Sequence, residues 1–403
     1  MNAVRLDIHH QDRTTRARAG TLQTAHGALR TPFFCVVGTA GATRGAMPSD
    51  VRELGGQALV ANAYHLALRP GEQAVRELGG LHRFLNWDGP LFTDSGAFQA
   101  FSGGVELEQA PDRFADQSPA RSLELAARSR GQRARLLRAD DEGAAFQSPL
   151  DGSTYRLTPE RSIQIQEALG GDVMFAFDEP TSPLQDAART QLAMERTHAW
   201  ARRCLDARTR EDQALYGVVQ GGVFADLRQH SAAEISTLPF DGVVIAPSLG
   251  TRTEDLRAVM AWCVPFFPEG WPRHVPGVGE PELALECIAA GIDHLDGVTP
   301  TRLARHGILY TARGKLVIAD GRYRHDAAPI ESGCDCPTCH AGFSRGYVQH
   351  LLAANELLGY TLASLHNLRF LVRLVDDARS AILAGAFQQF RADFLRGYQG
   401  VVT

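Results

Sequence analysis

The sequence predicts an α/β fold, a closed (β/α)8 barrel of the TIM type carrying a cysteine-rich C-terminal subdomain. Three observations predict it. Eight short apolar runs recur along the chain, amphipathic helical stretches follow most of them, and five of the runs end in a carboxylate or carboxamide side chain. Near-continuous apolar strands alternating with helices indicate a parallel sheet covered on both faces, and eight such units close into a barrel of ordinary size.

The runs are PFFCVV near Phe34, QALVANAY reaching Asn62, PLFTD ending at Asp94 and DVMFAFD ending at Asp178. They continue with ALYGVVQ ending at Gln220, GVVIAPS near Ala246, PRHVPGVG near Pro276 and IDHLD ending at Asp296. Helical periodicity marks TPERSIQIQEALGG after Leu157, the run from Ala187 to Asp206, and PELALECIAAGI before Asp293. On this reading the catalytic barrel spans 1–300, and 301–403 holds a metal-binding subdomain and C-terminal helices that complete the barrel. The polar stretch between Phe101 and Gly143 breaks the pattern and reads as strandless. Its arginine-rich insertion, at about 104–142, carries a helix over SPARSLELAARSRGQRARLLR with Ser118 as N-cap and Pro119 at the first helical position. Arg121, Arg128, Arg130, Arg133, Arg135 and Arg138 either bind RNA phosphates there or form an ordinary solvated face.

Composition sets the class. A 44% hydrophobic and 22% charged chain is that of a water-exposed globular protein. No stretch approaches the roughly 18 uninterrupted apolar residues of a membrane span, and MNAVRLDIHHQDRTTRARAG lacks an apolar signal-peptide core. A cytoplasmic location is expected. The net charge of −5 leaves nucleic-acid binding to local patches. Lys315 is the only lysine.

Of seven cysteines, Cys35, Cys204, Cys263 and Cys287 are scattered in apolar or helical contexts, whereas Cys334, Cys336 and Cys339 crowd into CDCPTC. That spacing is a poor disulfide framework and a good site for structural Zn2+, which wants a fourth ligand. His340 adjoins Cys339 awkwardly, and His350 falls mid-helix. His366, in LASLHNLRF, is placed in the turn that opens the next helix.

Asn62, Asp94, Asp178, Gln220 and Asp296 all fall at the C-terminal ends of strands, where such barrels carry their active sites. Taken singly, each could be a turn or capping residue. Together they fill one cavity with carboxylates, which suits glycosidic bond exchange: one aspartate attacks the anomeric carbon and another manages the proton on the leaving base.

The motifs carry the reading further. TPFFCVVGTAGATRG, NAYHLALRPG, LNWDGPLFTDSGAFQAFS, VVQGGV, GVGEPE, PTRLARHG, CDCPTC and HNLRF, in this order, resemble the tRNA-guanine transglycosylase (queuine tRNA-ribosyltransferase) family from about Thr31 to Phe390. The resemblance implies a wobble-position guanine exchanged for a 7-deazaguanine base in a tRNA anticodon loop, with Asp296 as nucleophile and Asp94 as the proton-handling acid. It implies that Asn62, Ser95, Phe98, Asp178, Gln220 and Gly250 bind substrate, that Arg302 and Arg305 hold the anticodon loop, and that Cys334, Cys336, Cys339 and His366 hold Zn2+ in a homodimer. Two other readings are a related exchange enzyme acting on DNA or another RNA, and a non-catalytic RNA-binding subunit of a heteromeric enzyme.

The chain departs from the family pattern in places. Gly96-Ala97 stands for a glycine pair, Gly297 and Pro180 stand for cysteines, and the base-binding loop reads IAPSLGTRTED. In that loop Pro247 removes a backbone donor, and Thr251 stands where an acid is usual. These departures bear on which base enters, and Glu280 or Glu254 is the candidate to replace the missing charge.

Overall fold

The computed structural model describes residues 3–102, 135–246, 249–250, 252–398 and 401–402. Its centre is a closed, all-parallel barrel of eight strands. They are β4 (Phe33–Val37), β5 (Leu59–Asn62), β6 (Leu91–Asp94), β10 (Val173–Phe175), β11 (Ala214–Val219), β12 (Gly242–Ile245), β13 (Arg273–Val275) and β14 (His294–Asp296), with β14 pairing back onto β4. All eight expected runs are barrel strands. β10 and β13 are shorter than their apolar runs, because the chain turns into the loops that carry Asp178 and Pro276.

Helix caps follow the sequence signals. The helix Pro159–Leu169 starts with Thr158 Oγ1 accepting the Arg161 N–H at 3.2 Å and ends on left-handed Gly170. Asp186 caps Ala187–Ala207 in the same way. The barrel interior is a layer of aromatic rings: Phe33, Phe92, Phe175, Tyr216, His274 and His294 contact one another at centroid separations of 4.8–6.4 Å.

Three further sheets surround the barrel. β1 (Arg5–Gln11), β2 (Arg18–Thr24) and β3 (Gly27–Thr31) form an antiparallel sheet across the N-terminal ends of the strands. Arg18 leaves β2 to grip buried Asp293 through two bonds of 2.9 and 2.6 Å, and Asp293 also accepts the Arg273 N–H at 2.8 Å. Asp172, just before β10, accepts the N–H groups of His26 and Leu91 at 3.0 and 2.8 Å. This end of the barrel is sealed by paired charges and backbone donors.

The second sheet joins β7 (Arg135–Asp140), β8 (Gly143–Gln147) and β9 (Thr154–Leu157). It corrects the expectation that no strand lies between Phe101 and Gly143 and that the insertion's helix runs to Arg138. The turn at Asp141–Glu142 folds Arg135–Asp140 back on β8, whose buried Ala144 and Phe146 give the pair an apolar face. Arg135 and Arg138 are exposed on β7, and Arg138 pairs with Asp140 at 2.8 Å. Arg121, Arg128, Arg130 and Arg133 lie outside the described residues.

The third sheet holds β15 (Ile308–Thr311), β16 (Gly314–Val317) and β17 (Val401–Val402). Lys315, on β16, is buried and paired with Glu280 at 2.9 Å. A second apolar cluster, including Leu309, Leu316, Ile330, Val348 and Leu351, surrounds the cysteines, while Leu365, Leu368, Leu371 and Val375 of the helix Leu357–Leu383 join the main barrel core. Among the described residues no helix is long and apolar enough to cross a membrane.

Candidate active site and metal centre

The polar residues at the strand ends meet as the alternation predicts. Asn62 ends β5, and its Oδ1 accepts the His65 N–H at 3.0 Å, capping the helix Ala63–Leu68. The cap leaves Nδ2 free to donate to Asp94 Oδ2 at 2.5 Å. Asp94 Oδ1 accepts the N–H groups of Ala63 and Gly96 at 3.2 and 3.1 Å. Despite three donors, burial pushes the Asp94 carboxyl up to about 7, with the nearby charge of Asp296 adding to the shift. An aspartate in that range can hold a proton or release it at neutral pH.

The turn after Asp94 requires glycine. Gly96 has φ of +75°, and a Cβ there would lie 2.8 Å from Tyr64 Cβ and 2.9 Å from its N. The tight turn presents Ser95 and then Phe98 on the helix Ala97–Ser102, where Phe98 is 37% exposed, a large aromatic left open to solvent. Ser95 Oγ reaches Asp178 Oδ1 at 3.5 Å, and Gln220 Nε2 donates to Asp178 Oδ2 at 2.7 Å. Burial raises the Asp178 carboxyl to about 6. Gln220 Oε1 is buried with no hydrogen-bond partner among the described residues, so this group keeps a free acceptor beside a carboxylate.

Asp296 ends β14. Its main-chain oxygen accepts the Val278 N–H at 2.8 Å, and its Oδ1 lies 3.2 Å from His274 Nε2. The next residue, Gly297, packs against the backbone of Val278 and Gly279, where a Cβ would come within 2.9 Å. The helix Thr299–Arg305 follows directly and carries Arg302 and Arg305 to the same end of the barrel. Burial, together with the positive charges of Arg44 and Arg302, lowers Arg305 to about 10.

Sequence reading missed two members of this end. Arg44, in the loop after β4, joins the arginine cluster, and only folding brings it to Arg305. Glu179 is fully buried beside Asp178, held by Arg189 and by Arg196 Nη1 at 2.6 Å, with its N–H donating to Thr197 Oγ1 at 3.0 Å. It braces the loop that carries Asp178. Gly250 has φ of +81°, and a Cβ would strike the Asp255 side chain at 2.3 Å. Pro247 and Thr251 lie outside the described residues. Glu280 is 5% exposed and its carboxylate is engaged by Lys315.

Cys334, Cys336, Cys339 and His366 form a compact cluster. His366 Nδ1 lies 3.8, 3.3 and 3.5 Å from the three sulfurs. Donors 2.0–2.3 Å from one tetrahedral ion stand about 3.5 Å apart, so the group fits a zinc-sized cation. His366 Nε2 donates to the Tyr310 carbonyl at 2.7 Å, which leaves Nδ1 as the ligand atom. The ligand does not come from a turn. His366 lies well inside the helix Leu357–Leu383, and the helix passes over the CDCPTC loop because its apolar face is seated on the barrel. His340 is exposed, and His350 sits on the helix Arg345–Ala353.

Comparison with known proteins shows the family. A family model described as queuine tRNA-ribosyltransferase matches residues 12–400. The chain belongs to that family. Its members are pentosyltransferases, also called tRNA-guanine transglycosylases. The queuine tRNA-ribosyltransferase of Pelotomaculum thermopropionicum is 42% identical over 399 residues, covering 99% of this chain and 100% of that protein. Those of Herpetosiphon aurantiacus and Moorella thermoacetica are 42% and 41% identical, over 100% and 99% of this chain.

Proposed function

We propose that this protein exchanges guanine at the wobble position of a tRNA anticodon loop for a 7-deazaguanine base, through a ribosyl–Asp296 intermediate. The observation that carries the reading is the pair of aspartates at one end of the barrel. Asp94 is pushed up to about 7 while Asp296 faces the His274 ring, and two carboxyl groups in unlike environments divide acid and nucleophile roles.

Arg44, Arg302 and Arg305 hold the phosphates of a loop whose target base is splayed outward. The guanine stacks on Phe98, and its edge is read by Asp178 and Gln220, with Ser95 and the Gly250 loop closing the pocket. Asp296 attacks the anomeric carbon as the bond to the base breaks, and protonated Asp94 supplies a proton to the departing guanine. The incoming base then returns its proton to Asp94 and displaces the Asp296 carboxylate. Asn62 keeps Asp94 aligned between the two steps.

Zinc fits Cys334, Cys336, Cys339 and His366, where it supplies structure, since four protein ligands leave no open position. On the same reading the barrel occupies 1–300, the zinc subdomain with its closing helices occupies 301–403, and the enzyme works as a cytoplasmic homodimer. Exchange of labelled guanine into purified tRNA, with a DNA hairpin as control, tests the activity. Wild type should give a denaturation-resistant protein–RNA adduct. Asp296→Asn should abolish both adduct and exchange while still binding tRNA. Wild-type turnover by that variant would remove the nucleophile assignment.

A further inference from the structure

Beneath the nucleophile lies a pair of histidines that the reaction scheme above does not use. His274 on β13 and His294 on β14 occupy paired register positions, both fully buried, with their Nδ1 atoms 2.7 Å apart. His274 Nε2 then faces Asp296 Oδ1 at 3.2 Å. Each ring is wedged among aromatics. His274 lies 4.8 Å from Phe175, and His294 lies 5.1 Å from Phe33 and 5.2 Å from Phe92. Neither imidazole can turn without displacing a neighbour.

We propose that His294 and His274 form a tautomer-locked relay that positions Asp296, with His294 donating to His274 and His274 donating to the carboxylate. This rests on Asp296 being the nucleophile. A contact of 2.7 Å between two ring nitrogens needs one N–H and one lone pair. If His274 were the donor in that contact, its Nε2 would present a lone pair to the carboxylate, and two acceptors would face each other. The opposite assignment satisfies both contacts with neutral rings and an ionised aspartate. It leaves His294 Nε2 as a bare lone pair, and that atom indeed has no partner among the described residues. Burial, with His274 and Arg18 nearby, holds His294 well below the usual imidazole range, so a charged His294 is disfavoured.

The consequence is geometric. His274 anchors Oδ1, so Oδ2 is the oxygen presented to the anomeric carbon. When Oδ2 forms its bond to that carbon and the bond to the base breaks, Oδ1 becomes the ester carbonyl oxygen and keeps the same donor. When the incoming base breaks the ester, the donor stabilises the carboxylate that leaves. No proton moves through the histidines in either step. His274 is therefore a positioning residue.

Two substitutions test this. His274→Phe preserves the ring and removes the donor, whereas His274→Gln offers an amide N–H near the place of Nε2. A hydrogen bond to a charged group corresponds to about ten- to hundred-fold in rate. Accordingly kcat for guanine exchange should fall by about that factor in His274→Phe with KM for tRNA changed less than about two-fold, while His274→Gln should recover most of the rate. A purely structural role predicts the reverse order, since phenylalanine suits an aromatic layer better than glutamine. A fully active His274→Phe, or equal loss in both variants, would overturn the proposal. Should either variant fold poorly, 15N NMR of the histidine-labelled wild-type protein decides: His274 should carry its proton on Nε2 and His294 on Nδ1, and the opposite pattern excludes the relay. Asp296→Asn run in parallel separates the two readings. An inactive Asn variant beside a fully active Phe variant defeats the histidine role alone, whereas an active Asn variant defeats the nucleophile beneath it.

Discussion

The two ends of the barrel use the same side chain to opposite effect. At the N-terminal end, Asp172 and Asp293 are buried and their oxygens are filled. Asp293 takes two bonds from Arg18 and one from the Arg273 amide. Burial would raise Asp172, but bonds from His82, the Leu91 amide and His26 outweigh it and leave the carboxyl below its ordinary value. At the C-terminal end Asp94 and Asp178 are bonded chiefly to neutral amides, and burial wins, lifting them to about 7 and about 6. Donors on every oxygen hold a buried carboxylate in place as a structural group. Neutral donors orient a carboxylate while leaving its proton negotiable.

The largest effect expected comes from a site at neither end, and it asks whether metal rather than charge pairing holds the C-terminal segment. Cys336→Ser should lose the ion and unfold the region around CDCPTC before the barrel melts, because metal binding there is coupled to local folding. Elemental analysis should find one zinc per chain in wild type. A metal-free natively purified protein would remove the assignment.

Asp293→Ala addresses the sealed end. It strands the buried Arg18 guanidinium and should cost about 3–5 kcal/mol in urea unfolding while leaving exchange per folded molecule near wild type. If activity falls as far as stability does, the two ends are not separable.

Asp94→Asn sharpens the contrast through pH. A carboxyl raised in the folded state makes wild type lose stability as pH climbs from the ordinary carboxylate range through about 7. The Asn variant escapes that loss. It should match wild type at acid pH and exceed it by about 1–2 kcal/mol at pH 8, a figure discounted for the residue's partial exposure. Its exchange activity should nonetheless be crippled. A stability difference that does not change between acid and alkaline pH would show that Asp94 is not raised. The smallest effect concerns the arginines: Arg305→Ala should weaken tRNA binding and reduce the slope of log affinity against log salt by about 1. An unchanged slope would remove Arg305 from the phosphate contacts.

The barrel was legible because strands covered on both faces read as unbroken apolar runs, five of them closed by a carboxylate or carboxamide at the site end. The outer sheets were not. RLDIHHQ of β1 has a single buried position, Leu6, among half-buried and exposed ones, and its partner is chosen by tertiary contact. Arg135–Asp140 has a helix-like composition and becomes a strand only because the Asp141–Glu142 turn returns it to β8. In the site, Asp94, Asp178, Gln220 and Asp296 announced themselves by position. His274 and His294 did not, since an interior histidine on a short strand looks like any other strand residue. A usable signal existed, namely a histidine in each of two consecutive strands that the register then pairs, the second standing two residues before Asp296. Of the three histidines, His366 is the one grouped with the cysteines, and helix packing rather than the expected turn delivers it there.

The burial of Lys315 against Glu280 has a practical outcome for anyone handling this protein. Because it is the single lysine in 403 residues, the folded chain offers amine-directed dyes and crosslinkers no accessible side chain, and its outward positive charge is carried by arginine and histidine alone. A lysine-specific protease therefore has one target bond, on strand β16 of the β15–β16 hairpin, where Lys315 is tied to Glu280. The appearance of its two fragments becomes a clock for the opening of that hairpin, readable on a gel without any label.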